Sequence, residues 1–288
     1  MNAVVFILIL GTATPGGGFA VYGDAFAEML NAQEPALRIQ TRNTKGSAEN
    51  VPLLETGKLD LALVLGEIAS AALAKPGTRL RIIAATYSSP GMFMVRADSP
   101  VRSIADLKGR TVVLGTQASG ITALGRTVLQ SLQIEVKPII LEKVADGPAM
   151  LLDGRAAALW GAGVGWPAFT ALAKSGARFV GPDAAEIQVI LKKQPALQAV
   201  TLPAKSYPGQ DAPLHSVGSW SYILARPALA DDVAYRLARA LHRGHAALIE
   251  RLDQARETTP QNTLMAAPSP AQIHPGAQRY MREIGVMR

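Results

Sequence analysis

The chain contains no cysteine. Disulfides, thiolate metal sites, iron–sulfur clusters and cysteine nucleophiles are therefore all excluded. Histidine is scarce, with only His215, His242, His245 and His274. Only His242 and His245 are close in sequence, and no H-E-x-x-H pattern surrounds them, so they read as helix-surface residues rather than metal ligands. Aromatic residues make up 5%, which argues against stacked bases or an aromatic cage. No apolar run reaches the roughly 18 residues of a membrane-spanning helix. No G-x-S-x-G elbow appears, and Ser119 has no histidine near it in sequence. Asp98, Asp106 and Asp153 sit beside turn signals and read as surface caps, so the chain is not expected to be an enzyme.

What remains is a globular chain of 288 residues, 49% hydrophobic and 18% charged. That length fits one large domain or two ordinary ones, with ample material for a core. The net charge of +7 is spread along the sequence with no basic tail or run. Nucleic-acid binders concentrate such charge, so the excess says only that anions are not repelled.

The apolar start, Val4–Leu10, lacks a basic flank and a small-x-small cleavage pattern. It reads as a buried strand rather than a signal peptide. Tyr22, Phe26, Met29 and Leu30 then mark one face of a helix. Leu37–Thr41 alternates like a strand, a short helix over Asn50–Glu55 stops at Gly57, and Leu59–Leu65 is another buried strand. This β-α-β-α-β order predicts a parallel sheet covered by helices. Two strands, Leu80–Thr86 and Met92–Val95, flank a turn that suits a crossing between domains. The S-x-x-D of Ser103–Asp106 predicts a capped short helix. Strands at Thr111–Leu114, Lys137–Leu141, Ala157–Trp160 and Arg178–Val180 alternate with helices around Leu124–Leu132, Pro148–Leu152 and Pro167–Lys174. An extended stretch, Leu197–Pro203, a polar loop to His215 and a strand Ser219–Leu224 follow. A long helix over Ala230–Arg251 and a final helix near Gln278–Ile284 close the chain. The simplest architecture is two α/β lobes, residues 1–87 with 204–288 and an inserted 88–203.

Ligands of open α/β sheets bind beyond the strand C-termini. Three loops there are rich in small and hydroxyl residues. Gly11–Gly18 joins a strand to a helix, which suits backbone N–H groups meeting an anion. It matches neither G-x-G-x-x-G nor the phosphate-binding G-x-x-x-x-G-K-[ST], so a nucleotide site is disfavoured. Thr44–Ser47 precedes the second helix, where Ser47 could cap it, contact a ligand, or both. Gly115–Gly120 repeats the design in the second lobe.

These residues, taken in order, resemble a known family. The segments Thr44–Asn50, Leu53–Gly57, Leu59–Leu63, Val95–Ser99 and Ile104–Gly109, with Pro203–Asp211 and His274–Gly285, are similar to TAXI-type proteins. These are the solute-binding subunits of tripartite ATP-independent periplasmic (TRAP) transporters. The resemblance implies a type II periplasmic binding fold, two α/β lobes with a ligand cleft between them. It implies no catalysis and no cofactor. It implies capture of a small carboxylate-containing solute, delivery to a TRAP-type membrane permease, and a periplasmic home with the native signal peptide removed. The family's binding positions fall on Thr14, Gly17, Gly18, Phe19, Ser47, Tyr87, Ser119, Gly120 and Ile121, with Trp166 in a further candidate segment, Gly163–Pro167. Phe19, Leu65, Met92 and Ile121 stand where the family commonly has polar residues. An apolar wall disfavours polar ligand atoms, which would be buried unpaired. Two alternatives use the same fold: the receptor of an ATP-driven importer, and an effector-sensing domain.

Overall fold

A computed structural model describes residues 5–288. Val4, the expected first residue of the opening strand, lies outside the described residues. The fold comprises two compact units. Unit one holds the chain up to Thr14, Phe19–Tyr87 and Trp220–Arg288; unit two holds Pro15–Gly18 and Ser88–Ser219. Residues 204–219 thus belong with unit two, whereas the sequence placed the return to the first lobe at 204. The reason is a strand pair within that unit: β10 (Gln198–Leu202) runs antiparallel to β11 (Leu214–Gly218).

In unit one, β1 (Phe6–Gly11), α1 (Gly18–Gln33), β2 (Leu37–Arg42), α2 (Ser47–Glu55), β3 (Leu61–Leu65), α3 (Gly66–Leu73) and β4 (Arg81–Ser88) follow one another. The chain re-enters as β12 (Trp220–Ala225), followed by α8 (Asp231–Arg243), α9 (His245–Arg251), α10 (Pro260–Ala266) and α11 (Pro275–Glu283). The sheet order is β2-β1-β3-β12-β4. The first three strands are parallel, as the β-α-β rhythm requires. The returning strand β12 lies antiparallel against β3, so the sheet as a whole is mixed.

Every residue of β3 is buried, because helices cover both faces. Leu61 and Leu63 join Tyr22, Phe26 and Leu30 of α1 in one core. Ala62 and Val64 face the other way, toward Leu54 of α2 and Ala69 of α3. Full burial of a side chain such as Phe26 is worth about 1.5–3 kcal/mol. The long helix expected over Ala230–Arg251 is broken at Gly244 into α8 and α9. A Cβ there would lie 2.2 Å from Met29 Sδ and 2.9 Å from Gln33 Cγ, so these α1 side chains would have to shift to admit one.

Unit two contains β5 (Gly91–Val95), β6 (Thr111–Thr116), α4 (Gly120–Ser131), β7 (Lys137–Leu141), α5 (Asp146–Leu152), β8 (Ala158–Ala162), α6 (Pro167–Lys174), β9 (Arg178–Val180) and α7 (Ala184–Lys193). Its sheet order is β7-β6-β8-β5-β9. β6 is parallel to β7 and β8, while β5 is antiparallel to β8 and β9. Ser103 and Asp106 exchange the reciprocal bonds of a capping box, but the helix they open is one 3-10 turn, Ala105–Leu107. Among the described residues, no helix is long and apolar enough to cross a membrane.

Candidate functional site

In unit one the parallel run of β1, β2 and β3 puts their C-terminal loops at one sheet edge. Thr12, fully buried, organises this edge. Its N–H donates to Arg42 O at 3.0 Å, and its carbonyl accepts from Asn50 Nδ2 at 2.8 Å and Thr44 Oγ1 at 3.1 Å. Asn50 Nδ2 also donates to Leu63 O, so one amide ties the ends of β1 and β3 to the first turn of α2. Beyond that brace Thr14, Gly17, Gly18 and Phe19 are half-buried, and α1 opens at Gly18 with no acidic residue in its first turn. An uncompensated helix N-terminus of this kind attracts negative charge.

Ser47 does not cap α2. The N-cap is Gly46, and the buried Ser47 hydroxyl accepts from the Leu65 N–H at 3.1 Å. It therefore ties α2 to the end of β3, and its own proton remains to donate. Tyr87 is 5% exposed and sits in the core, against Tyr22 at 5.2 Å and edge-on to Phe19 at 6.3 Å between ring centroids. Burial raises the Tyr22 phenol well above its ordinary value, and its hydroxyl pairs with Thr258 at 2.9 Å.

In unit two Ser119 is the N-cap of α4, yet its half-buried side chain makes no capping bond, and the first turn again carries no acid. Gly120 is buried and Ile121 is half-buried. The turn is seated on β8: Trp160 Nε1 donates to Ile121 O at 2.7 Å. Gly125 allows this seating, since a Cβ there would stand 2.7 Å from Trp160 Nε1. Thr122 Oγ1 donates to Leu114 O at 3.0 Å, fixing the other side of the turn.

A second loop of unit two, Gly163–Trp166, is held by Tyr207. The Tyr207 hydroxyl donates to Gly163 O at 2.9 Å and accepts from Trp166 N–H at 3.0 Å. Its ring packs on Phe169 and Phe179, and burial raises its phenol well above the ordinary value. Trp166 is half-buried, edge-on to Phe169 at 4.8 Å. Because β6 and β8 are parallel, the loops carrying Ser119 and Trp166 leave the same edge of this sheet.

Leu65 and Met92 are not ligand-wall residues. Leu65 is 1% exposed, and Met92 is fully buried in the unit-two core with Met94 and Leu159. Both belong to strands packed between helices, so their apolar character serves the core. Thr116, the last residue of β6 and part of the Gly115–Gly120 loop, is buried with a hydroxyl that has no hydrogen-bond partner. One residue at these edges escaped sequence reasoning. Glu67 is half-buried in the first turn of α3, at the same edge as Ser47. The signal for Glu67 was a helix at Gly66–Leu73 that the all-apolar run before it concealed. Among the described residues, no group of three histidine, aspartate or glutamate side chains could hold a metal ion.

Residues 10–285 match the sequence profile of the NMT1-like family. The chain belongs to the NMT1-like family. Solved structures agree on the fold. The periplasmic aliphatic sulphonate binding protein SsuA from Escherichia coli superposes with a TM-score of 0.56 at 18% identity, covering 96% of this chain and 83% of that one. The periplasmic binding protein BugD gives 0.60 at 14% identity, over 98% of both chains. The substrate binding protein of an amino acid ABC transporter gives 0.54 at 14% identity, over 86% of this chain and 98% of that one. This NMT1-like protein thus has the α/β fold of the two-lobe periplasmic binding proteins.

Proposed function

We propose that the protein is an extracytoplasmic solute-binding protein without catalytic activity. It captures a small carboxylate-containing solute and delivers it to a TRAP-type membrane permease. One observation carries the anion preference: α1 and α4 each begin in a glycine-containing turn with no acidic residue. Such ends offer unpaired backbone N–H groups and a favourable dipole to a carboxylate. The Ser119 hydroxyl, unused in capping, adds a donor, and the Ser47 hydroxyl proton adds another. Family membership and the fold support the receptor role. The TAXI-like segments, Pro203–Asp211 and His274–Gly285 above all, support the TRAP partner.

A second reading keeps the receptor and changes its machine. The likeness to SsuA and to an amino acid ABC transporter's binding protein favours an ATP-driven importer. Mass spectrometry of small molecules released on denaturing the purified protein tests the capture role. The expected result is one organic acid that rebinds saturably in calorimetry. Recovery of no solute, with no saturable binding across a panel of organic acids, overturns the proposal. Cross-linking in membranes then separates the partners: a many-helix permease alone for TRAP, a permease with an ATPase for the alternative.

A further inference from the structure

The basic residues of unit two, scattered in sequence, are gathered by its topology at one edge of the sheet. Lys137 opens β7 and pairs with Thr111, the first residue of β6, which Arg110 precedes. Arg155 lies just before β8, which is parallel to β6. Because β5 runs the other way, its exit brings Arg96 to the same edge, and Arg178, opening β9, pairs with Val95 there. Every strand of the sheet therefore carries a cation at this end. The carboxylates nearby are Asp98, Asp106 and Asp153; Glu135, whose carbonyl accepts from Gly109 N–H, adds a fourth, and Asp146, whose charge acts on Arg155, a fifth. Arg102, whose charge acts on Arg178, adds a sixth cation.

Three of these arginines line a depression of about 340 Å³, floored by small residues including Ser99, Gly109 and Gly154. Each guanidinium is held along one side by a local partner. Arg96 Nε donates to Asp98 at 3.1 Å, Arg110 Nε to the Asp106 carbonyl at 2.6 Å, and Arg155 Nε to Asp153 at 2.8 Å. The remaining N–H groups are left for another acceptor, and the Arg96 and Arg155 side chains are 40% and 58% exposed. Their orientation is thus fixed before any ligand arrives, which lowers the entropic cost of binding.

We propose that this edge is a second anion site, taking a phosphate-bearing ligand across Arg96, Arg110 and Arg155. A terminal phosphate presents three oxygens to three guanidinium groups, whereas a carboxylate offers only two, and guanidinium matches phosphate geometry well. The site is remote from Ser119 and Trp166. Those leave the opposite ends of β6 and β8, and a six-residue strand spans about 20 Å. It therefore stands independently of the solute-binding proposal. The phosphate could belong to a soluble phosphoester or to an anionic lipid headgroup.

Calorimetric titration of inorganic pyrophosphate into the full chain at low salt tests the site, beside flotation with vesicles of phosphatidylglycerol or phosphatidylcholine. Arg110→Gln and Arg155→Gln are expected to weaken binding roughly tenfold or more, the range for losing a charge-assisted hydrogen bond. Arg243→Gln, on unit one, should leave it unchanged. Thermal melts matching the parent confirm that both variants fold, as their exposure leads one to expect. Saturable pyrophosphate binding without flotation supports the site with a soluble ligand. Flotation on phosphatidylglycerol alone, lost in both variants, supports it with a headgroup. Absence of both, or equal weakening by Arg243→Gln, overturns the proposal, the latter because it reduces the effect to diffuse charge.

Discussion

At the scale of single residues, the candidate solute-contacting serines, one in each unit, have different duties, although each precedes or opens a helix. Ser47 accepts a buried backbone N–H, that of Leu65. Ser47→Ala leaves that donor unsatisfied, at a cost of about 1–3 kcal/mol. Ser119 makes no capping bond. Ser119→Ala should change stability by less than about 0.5 kcal/mol, as at an ordinary surface position. Urea unfolding of both variants checks this difference: a clear fall in midpoint for Ser47→Ala, and almost none for Ser119→Ala. The contrast makes Ser119 the cleaner probe of solute binding. If its hydroxyl meets the carboxylate, affinity for the recovered solute falls by about 1–3 kcal/mol while the fold is untouched. Unchanged affinity would leave Ser119 as a plain helix start.

At the scale of elements, His274 shows how a terminal helix is fastened. It is the N-cap of α11, with Nδ1 accepting from Gly276 N–H at 3.2 Å and Nε2 donating to Leu229 O at 3.0 Å. That arrangement needs a neutral ring with its proton on Nε2. Burial lowers the His274 pKa below its ordinary value, outweighing the Leu229 bond and nearby Asp231, while Arg81 adds to the lowering. The unfolded chain then binds the proton more readily than the folded one. Stability should hold above the ordinary histidine pKa of about 6.5 and decline as pH falls below it. His274→Asn keeps a capping acceptor and should flatten that decline, at about 1 kcal/mol of stability or less at pH 8. Melts at pH 5 to 8 decide: an equal acid slope in the parent and the variant would assign the decline to other groups.

The same scale shows what the sequence reveals. The strand Lys137–Leu141, the helix around Pro167–Lys174 and the strand near Arg178–Val180 were legible: the helix is opened by proline, and the last strand lies between Gly176 and Gly181-Pro182. The helix face Tyr22, Phe26, Met29, Leu30 is the buried face of α1. Helices α3 and α7 were not legible. The first follows an apolar strand without a loop between them. The second is opened by Asp183 and Glu186, a capping box without a strong apolar stripe behind it. The packing of Gly244 against Met29, more than two hundred residues away, is reported by no local pattern. At the candidate site, the loops were legible from their glycine and hydroxyl content. The burial of Leu65 and Met92 was not, since an apolar residue at a strand end reads alike whether it faces the core or a ligand.

At the scale of the whole molecule, the solute's character follows from which apolar residues keep some exposure. With Leu65 and Met92 in the core, the apolar lining reduces to half-buried Phe19 in unit one and half-buried Ile121 and Trp166 in unit two. In unit one, Glu67 stands in the first turn of α3, which directly follows the β3 end tied to Ser47. The proposed solute accordingly has one carboxylate, of the kind a helix opening without acidic residues attracts, and an aliphatic or aromatic body. Each methylene buried against the lining adds about 0.8 kcal/mol. A second carboxylate would be desolvated among apolar groups, a penalty that should exceed the gain from any added contact. Calorimetric titration of pentanoate beside butanedioate puts this to the test with ligands of similar size. The monoanion is expected to bind at least tenfold more tightly. Tighter binding of the dianion to the parent protein would mean that a cation or donor set outweighs this lining, and the solute class would have to be redrawn as a dicarboxylate.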